Sequence, residues 1–199
     1  MTIQSPKRLI VGISGASGVV YGVRLLKLLR EIGITSHLVM SRSAEVTLAH
    51  EMSLKVADVR ALADVVHRID DIGASISSGS FRTLGMIVAP CSIRSLSEIS
   101  TGVTSSLLTR AADVVLKERR RLVLLVRETP LHLIHLRAMT AATEAGAIVM
   151  PPVPAFYARP QTLEEMVDQT LGRALDLFDI DSHVVKRWKD GAASGSEAG

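Results

Sequence analysis

Hydrophobic positions along the chain form short apolar runs that alternate with stretches in which apolar residues recur every three or four positions. The short runs are typical of strands buried on both faces, and the longer spacing predicts amphipathic helices. The runs predict strands at 9–13, 37–40, 85–89, 122–126 and 147–150, the third of them stopped by Pro90. The helical spacing predicts helices at 17–30, 43–50, 56–66, 92–100, 105–117, 131–144 and 163–178.

This alternation of strands and helices predicts an α/β fold. We expect a single doubly wound (Rossmann-like) parallel sheet flanked by helices, in three layers, α/β/α. Neither a repeat nor an interdomain linker is visible, so the expectation is one domain over residues 1–190. Residues 191–199 are small and polar and are predicted to be a disordered tail.

The composition narrows the class of protein. Of 199 residues, 47% are hydrophobic, which is apolar for a lone soluble domain and predicts a homo-oligomer. A net charge of +3 with 3% aromatic residues argues against nucleic-acid binding. The single cysteine, Cys91, excludes an intramolecular disulfide and a cysteine-based metal site. Because neither a signal-peptide core nor a run of about 20 apolar residues is present, we expect a cytoplasmic protein without a membrane span.

A glycine-rich loop follows the first predicted strand. In the stretch from Gly12 to Gly18 the glycines are spaced G-x-x-G-x-x-G, whereas dinucleotide-binding proteins have G-x-G-x-x-G. Such a loop faces the ligand crevice of an open α/β sheet, and the helix after it favours an anion. The second strand is followed by Ser41 and Arg42 instead of the acidic residue that binds the ribose of NAD. These features favour a mononucleotide over a nicotinamide cofactor.

Seven segments, in order, make the chain similar to the UbiX-type flavin prenyltransferases. They are Gly15-Ala16-Ser17-Gly18 with Tyr21-Gly22, Ser78-Gly79-Ser80, Pro90-Cys91-Ser92, Arg110-Ala111-Ala112-Asp113 with Lys117-Glu118-Arg119, Arg127-Glu128, residues 151–157, and Arg187-Trp188. The resemblance extends from about residue 8 to residue 188, which is nearly the whole chain.

The resemblance implies an activity and a set of site residues. The activity is the metal-independent transfer of a dimethylallyl group from dimethylallyl phosphate to N5 and C6 of reduced FMN, in a homododecamer with sites shared between subunits. The product, prenylated FMN, would serve a UbiD-type decarboxylase. The implied FMN contacts are Gly15, Ala16, Ser17, Ser41, Ser92, Ile93, Arg94, Ser95 and Arg127. The implied prenyl-phosphate contacts are Lys117, Arg127, Tyr157 and Arg173, and the implied catalytic residues are Ser17, Glu51, Glu128, Lys117 and Trp188.

These residue types suit the chemistry. A departing phosphate carries negative charge, which the implied lysine, arginines and tyrosine hydroxyl can stabilise. Glu128 directly follows the predicted strand 122–126 and is a candidate base for the C6 proton. Trp188, the only tryptophan, is interpreted as a lid over the allyl fragment. Glu51, near the end of a predicted helix, is by its position alone expected to be solvated.

The sequence departs from the family pattern at two places, and it leaves several alternatives open for the donor and for the function. Ile72 stands where some members have a tryptophan, and Arg137-Ala138 replaces an acidic residue and asparagine. The donor could be the monophosphate or the diphosphate. An FMN-dependent decarboxylase of cysteine-derived peptides shares the expected fold, but its Pro-Ala-Ser-Ala-Asn-Thr motif differs from residues 90–95, which contain no asparagine. A non-catalytic flavin-binding partner of a decarboxylase would have no need for a second anion pocket.

Overall fold

The structure is a computed structural model that describes residues 7–188. The chain divides into two compact units between Pro152 and Val153. The predicted tail, 191–199, lies outside the described residues, and the predicted single domain over 1–190 stays a prediction.

The first unit is built on a parallel sheet. Its described strands are β1 (Arg8–Ile13), β2 (Thr35–Met40), β3 (Val65–His67), β4 (Gly85–Cys91), β5 (Arg121–Val126) and β6 (Ile148–Val149). They lie in the order β3-β2-β1-β4-β5-β6, with every neighbouring pair parallel. The strand order reverses direction between β1 and β4, which is the mark of a doubly wound sheet. The predicted fold class is therefore confirmed.

Helices connect the strands. The described ones are α1 (Val19–Glu31), α2 (Arg42–Glu51), α3 (Val56–Arg60), α4 (Ile93–Thr101), α5 (Leu107–Lys117), α6 (Leu133–Glu144) and, in the second unit, α7 (Leu163–Asp176). Short 3₁₀ helices lie at Ser75–Ser77 and Phe156–Ala158. None of the helices within residues 7–188 has the length and apolar character that crossing a membrane requires.

The central strands are apolar because both of their faces are covered. Every residue of β4 is buried, and so is every residue of β5 after Arg121. Each fully buried leucine or valine side chain contributes about 1.5–3 kcal/mol of transfer free energy. Gly22 lets α1 approach the sheet closely, since a Cβ added there would lie 2.5 Å from the Ala89 carbonyl oxygen. This approach sets the start of α1 beside the end of β4.

Two predicted boundaries are wrong. The helix expected over 56–66 ends at Arg60, and Val65–His67 forms the edge strand β3. The β-branched Val65 and Val66 pair with β2 there, and their partial exposure at the edge hides the usual apolar run. The third predicted strand continues through Pro90 to Cys91. Its pairing with β5 becomes irregular between Val88 and Cys91, because proline has no N–H to donate.

Candidate functional site

A cleft of about 800 Å³ lies where β1, β2, β4 and β5 end. Its volume is in the range of small-molecule sites. Seven of the predicted site residues line it: Gly15, Ser41, Ser92, Ile93, Arg94, Ser95 and Glu128. Ala16 and Ser17 follow Gly15 directly in the loop between β1 and α1, and Arg127 precedes Glu128. Residues without a sequence-based prediction also line the cleft, among them Ser43, Glu98, Ser105, Ser106 and Thr109.

Three helices begin at this cleft, each with a serine N-cap. The Ser41 hydroxyl accepts from the Ala44 amide at the start of α2, at 3.1 Å. Ser92 caps α4 and Ser106 caps α5 in the same way. The first-turn amides and dipoles of helices favour negative charge. Their convergence here makes the cleft suited to an anion such as the phosphate of a mononucleotide.

The start of α1 is different, because a carboxylate of this chain already occupies it. The two oxygens of Glu51, at the end of α2, accept hydrogen bonds from the Gly18 amide at 3.1 and 2.9 Å and from the Val19 amide at 3.0 Å. The expectation that Glu51 is merely solvated is therefore wrong. The anion that the sequence predicts at this helix is, in the structure, the Glu51 carboxylate.

Glu51 is also bound to Ser17. Burial alone would raise the pKa of Glu51, but hydrogen bonds from the Ser17 hydroxyl and from the Gly18 and Val19 amides hold that pKa below its ordinary value, with help from the Arg127 guanidinium. The structure thus brings together Ser17 and Glu51, both predicted as catalytic. Because the Ser17 hydroxyl donates a hydrogen bond to Glu51, the Ser17 oxygen is left to accept a hydrogen bond from a ligand.

Ser14 is a site residue that the sequence analysis missed. Its buried hydroxyl donates to the Pro90 carbonyl at 3.0 Å and accepts from the Ser92 amide at 2.7 Å. It therefore ties the loop after β1 to the loop after β4 and holds both walls of the cleft in register. A serine continuing a run of buried apolar residues is the signal that could have identified it.

The end of β5 contributes two charged residues of opposite sign. The Arg127 amide donates to the Cys91 carbonyl at 3.0 Å, which fixes this loop beside β4. One oxygen of Glu128 accepts from the Thr129 amide at 3.0 Å. Both side chains are exposed and available to a ligand. Cys91, in contrast, is buried, and burial raises the pKa of its thiol to about 12, so it does not supply a nucleophile.

Lys117 lies at the opposite edge of the sheet. It is the last residue of α5, four positions before β5 begins, whereas Glu128 comes two positions after β5 ends. The length of β5 therefore separates them by about 20 Å. Lys117 forms an ion pair with Glu118 and lies beside Gly79, where an added Cβ would be 2.8 Å from the lysine Nζ. Within the first unit, the predicted residues thus divide between two edges of the sheet.

The second unit contains the three remaining predicted residues. The rings of Tyr157 and Trp188 meet edge to face, with centroids 5.5 Å apart. Arg173 and Arg187 both bind Asp176, at 2.6 and 2.9 Å. The interpretation of Trp188 as a lid stays a prediction.

The fold and cleft define a nucleotide-binding α/β protein, and comparison with known proteins identifies the family. The flavoprotein family profile matches residues 2–189. Flavin prenyltransferase UbiX of Escherichia coli K12 is 64% identical over 175 residues, which cover 87% of this chain and 93% of that protein. The chain belongs to the flavin prenyltransferase UbiX family of flavoproteins.

Solved structures agree with this family. The crystal structure of AnUbiX (PadA1) in complex with FMN and dimethylallyl pyrophosphate has a TM-score of 0.91 and 50% identity, and covers 93% of this chain and 98% of that one. A dodecameric FMN-dependent UbiX-like decarboxylase from Escherichia coli O157:H7 has a TM-score of 0.89 and 48% identity, with coverage of 92% and 99%.

Replacing Glu51 with glutamine tests its role at α1. A carboxyl with a depressed folded-state pKa contributes stability above its unfolded pKa, near 4.5, and loses it as the pH falls through the folded value. We expect Glu51→Gln to lower the free energy of unfolding by about 1 kcal/mol at pH 7. The difference from wild type should shrink as the pH falls below about 4.5. Chemical denaturation at pH 7 and at pH 4 measures it.

The matched control is Glu144→Gln, at the exposed end of α6. This change should have little effect at either pH. If the free energies of unfolding of wild type and Glu51→Gln differed by the same amount at pH 7 and at pH 4, the result would contradict this role of the Glu51 carboxylate.

Proposed function

We propose that this protein is a flavin prenyltransferase, which transfers a dimethylallyl group from dimethylallyl phosphate to N5 and C6 of reduced FMN. The observation that carries the proposal is the cleft in which Glu128 and the serine-capped starts of α2 and α4 share one space beside the Ser17–Glu51 pair. Flavin prenyltransferase UbiX of Escherichia coli K12 has this activity in its name, and AnUbiX was solved with both FMN and dimethylallyl pyrophosphate.

FMN is the acceptor substrate, and the cleft offers separate partners for its two ends. The serine-capped helix starts at Ser41 and Ser92 favour the phosphate through their amides and dipoles. The Gly15–Ser17 loop then lies against the isoalloxazine ring. The Ser17 hydroxyl, whose proton points to Glu51, can accept a hydrogen bond from N5–H of the reduced flavin.

Chemistry begins with cleavage of the allylic C–O bond. The phosphate leaves with the electron pair, the prenyl carbon bonds to N5, and N5 loses its proton. Lys117, Arg127, Arg173 and Tyr157 are the proposed partners of the departing phosphate. Ring closure then joins the prenyl group to C6, which loses a proton while the former double bond gains one. Glu128 is the proposed base at C6, and Trp188 the proposed cover over the cation-like allyl fragment.

If Lys117 and Glu128 act at the same site, more than one copy of the chain must build it. Lys117 and Glu128 are separated by the length of β5, about 20 Å, which a lysine side chain cannot span. We therefore propose that a neighbouring copy supplies Lys117 to the cleft. The dodecameric relative supports an oligomer of this kind.

Three finer points belong to the same proposal. The product is expected to serve a UbiD-type decarboxylase, since an extended flavin is useful only to an enzyme that binds it. A cytoplasmic location stays a prediction. The donor could be the monophosphate or the diphosphate, so both are included in the test.

The direct test is an anaerobic incubation of the protein with reduced FMN and each donor, followed by mass spectrometry of the extracted flavin. We expect a gain of one C5H8 unit. Glu128→Gln should retain FMN but lower the yield of ring-closed product, separated by chromatography from the N5 adduct of equal mass, by at least about 100-fold, in keeping with the loss of a general base.

Glu98→Gln is the matched control for Glu128→Gln, since Glu98 lines the same cleft but is already bound to Arg94 and Ser105. It should keep most of the turnover. Unchanged FMN with both donors in the wild-type reaction would overturn the proposed function. Decarboxylation of a cysteine-containing peptide would instead favour the alternative that shares this fold.

Mixed oligomers test the sharing of the site. Lys117→Ala and Glu128→Gln chains, each with its own tag, are co-expressed and purified over both tags. If the lysine and the glutamate of one site come from different copies, random assembly leaves both intact in about one quarter of the sites. We therefore expect about a quarter of wild-type turnover, although each variant alone is nearly inactive.

If both residues of a site came from the same copy, every site in the mixed oligomer would lack one of them. Turnover no higher than that of the single variants would contradict the sharing. Oligomers mixed from wild-type and Glu128→Gln chains serve as the reference, because they show how far mixing two kinds of chain in itself changes turnover.

A further inference from the structure

The turn that carries Ser78-Gly79-Ser80 lies beside Lys117 at the edge of the sheet where the strands begin. The Phe81 amide donates to the Ser78 carbonyl at 3.2 Å, which closes the turn. The hydroxyls of Ser78 and Ser80 lie 2.9 Å apart. These hydroxyls and the Lys117 ammonium, which lies beside Gly79, are donors of the kind that bind a phosphate.

Arg120 binds the backbone of this turn. Its guanidinium donates to the Gly79 carbonyl at 2.7 Å and to the Phe81 carbonyl at 2.8 Å. The side chain is half-buried, so the two bonds are partly shielded from water. A planar guanidinium can hold two acceptors in a fixed geometry, whereas an ammonium binds as a point charge.

The far end of the turn is anchored through Phe81. The Arg8 guanidinium lies over the Phe81 ring, 4.8 Å from its centroid, and His37 of β2 meets the ring edge to face at 5.1 Å. The Phe81 ring thus fixes where the turn leaves the sheet. Arg120 fixes how the turn is oriented, because its two bonds hold the carbonyls of Gly79 and Phe81.

The orientation matters because backbone carbonyl oxygens repel a phosphate. The Arg120 guanidinium binds the negative ends of two carbonyls of the turn and so offsets their repulsion of an anion beside Lys117. We propose that Arg120 is a positioning residue for the prenyl-phosphate site: it orients the Ser78–Phe81 turn so that the serine hydroxyls and Lys117 can hold the phosphate. This inference rests on the proposed function, since it assumes that Lys117 binds the prenyl phosphate.

Gly79 and Glu118 complete the arrangement. A Cβ at Gly79 would overlap the Glu118 carboxylate and lie 2.8 Å from Lys117 Nζ, so an added side chain would displace both charged groups. The Lys117 ammonium donates to Glu118 and is thereby held next to the turn. A side chain added at Gly79 should therefore displace Lys117, the lysine that lies beside the turn oriented by Arg120.

The test measures donor binding without turnover. Dimethylallyl phosphate is titrated calorimetrically into protein loaded with oxidised FMN, which is not nucleophilic at N5 and does not react. We expect Arg120→Gln to weaken donor binding by about tenfold, in keeping with the loss of two charge-assisted hydrogen bonds. FMN binding, which uses the other edge of the sheet, should change by less than about twofold.

The conservative variant Arg120→Lys keeps the charge but cannot hold both carbonyls, so it should not restore donor affinity. Arg119→Gln, at the exposed neighbouring arginine, removes the same charge from the same segment and should leave donor affinity within about twofold of wild type. In steady-state turnover with reduced FMN, Arg120→Gln should raise the KM for the donor more than it lowers kcat.

Gly79→Ala disturbs the same turn next to Lys117 and should weaken donor binding by a similar factor. It replaces Arg120→Gln as the test if Arg120→Gln does not fold. Wild-type affinity in Arg120→Gln, full rescue by Arg120→Lys, or an equal loss in Arg119→Gln would each overturn the inference. A wild-type protein that binds no dimethylallyl phosphate and produces no prenylated flavin would overturn the proposed function instead, so the two failures are distinguishable.

Discussion

The parallel sheet places the functional residues at two opposite edges, one at the carboxyl ends of the strands and one at their amino ends, and this placement determines how a site can be built. Every loop that follows a strand lies at the carboxyl edge, and every loop that precedes one lies at the amino edge. The Gly15–Ser17 loop and Glu128 follow strands, whereas Lys117 and the Ser78–Phe81 turn precede them. No rearrangement of side chains can bring these groups together in one copy. A reaction that needs both sets therefore favours an assembly in which edges of different copies meet.

Each edge is held rigid by a polar residue of the chain itself. At the carboxyl edge, Glu51 neutralises the start of α1 and binds Ser17, and Ser14 joins two loops. At the amino edge, Arg120 binds two carbonyls of the turn beside Lys117. Glu51 and Arg120 are charged side chains that could have bound a ligand. Each of them instead orients uncharged hydrogen-bond donors of the chain. Preorganised donors cost no reorientation at the moment of reaction, which is what a charge-separating transfer requires.

The sequence predicted the fold well, because it depends on local patterns, whereas the predicted residues that line the cleft came from the family resemblance. Apolar runs located the central strands, and the loop after β1 was recognised from its glycines. The edge strand β3 was missed because Val65 and Val66 are partly exposed. The bond from Glu51 to the start of α1, the Ser14 bridge and the Arg120 clamp join residues 33, 78 and 41 positions apart. Contacts over such separations leave no periodic signal, so only the folded chain shows them.

A structure of the assembly with oxidised FMN and dimethylallyl phosphate bound tests the central claim most directly, since it locates both ligands relative to each copy of the chain. We expect the flavin to lie at the Gly15–Ser17 loop of one copy while the donor phosphate contacts Lys117 of another. A donor phosphate bound by Lys117 of the same copy that holds the flavin, or bound far from every Lys117, would contradict it.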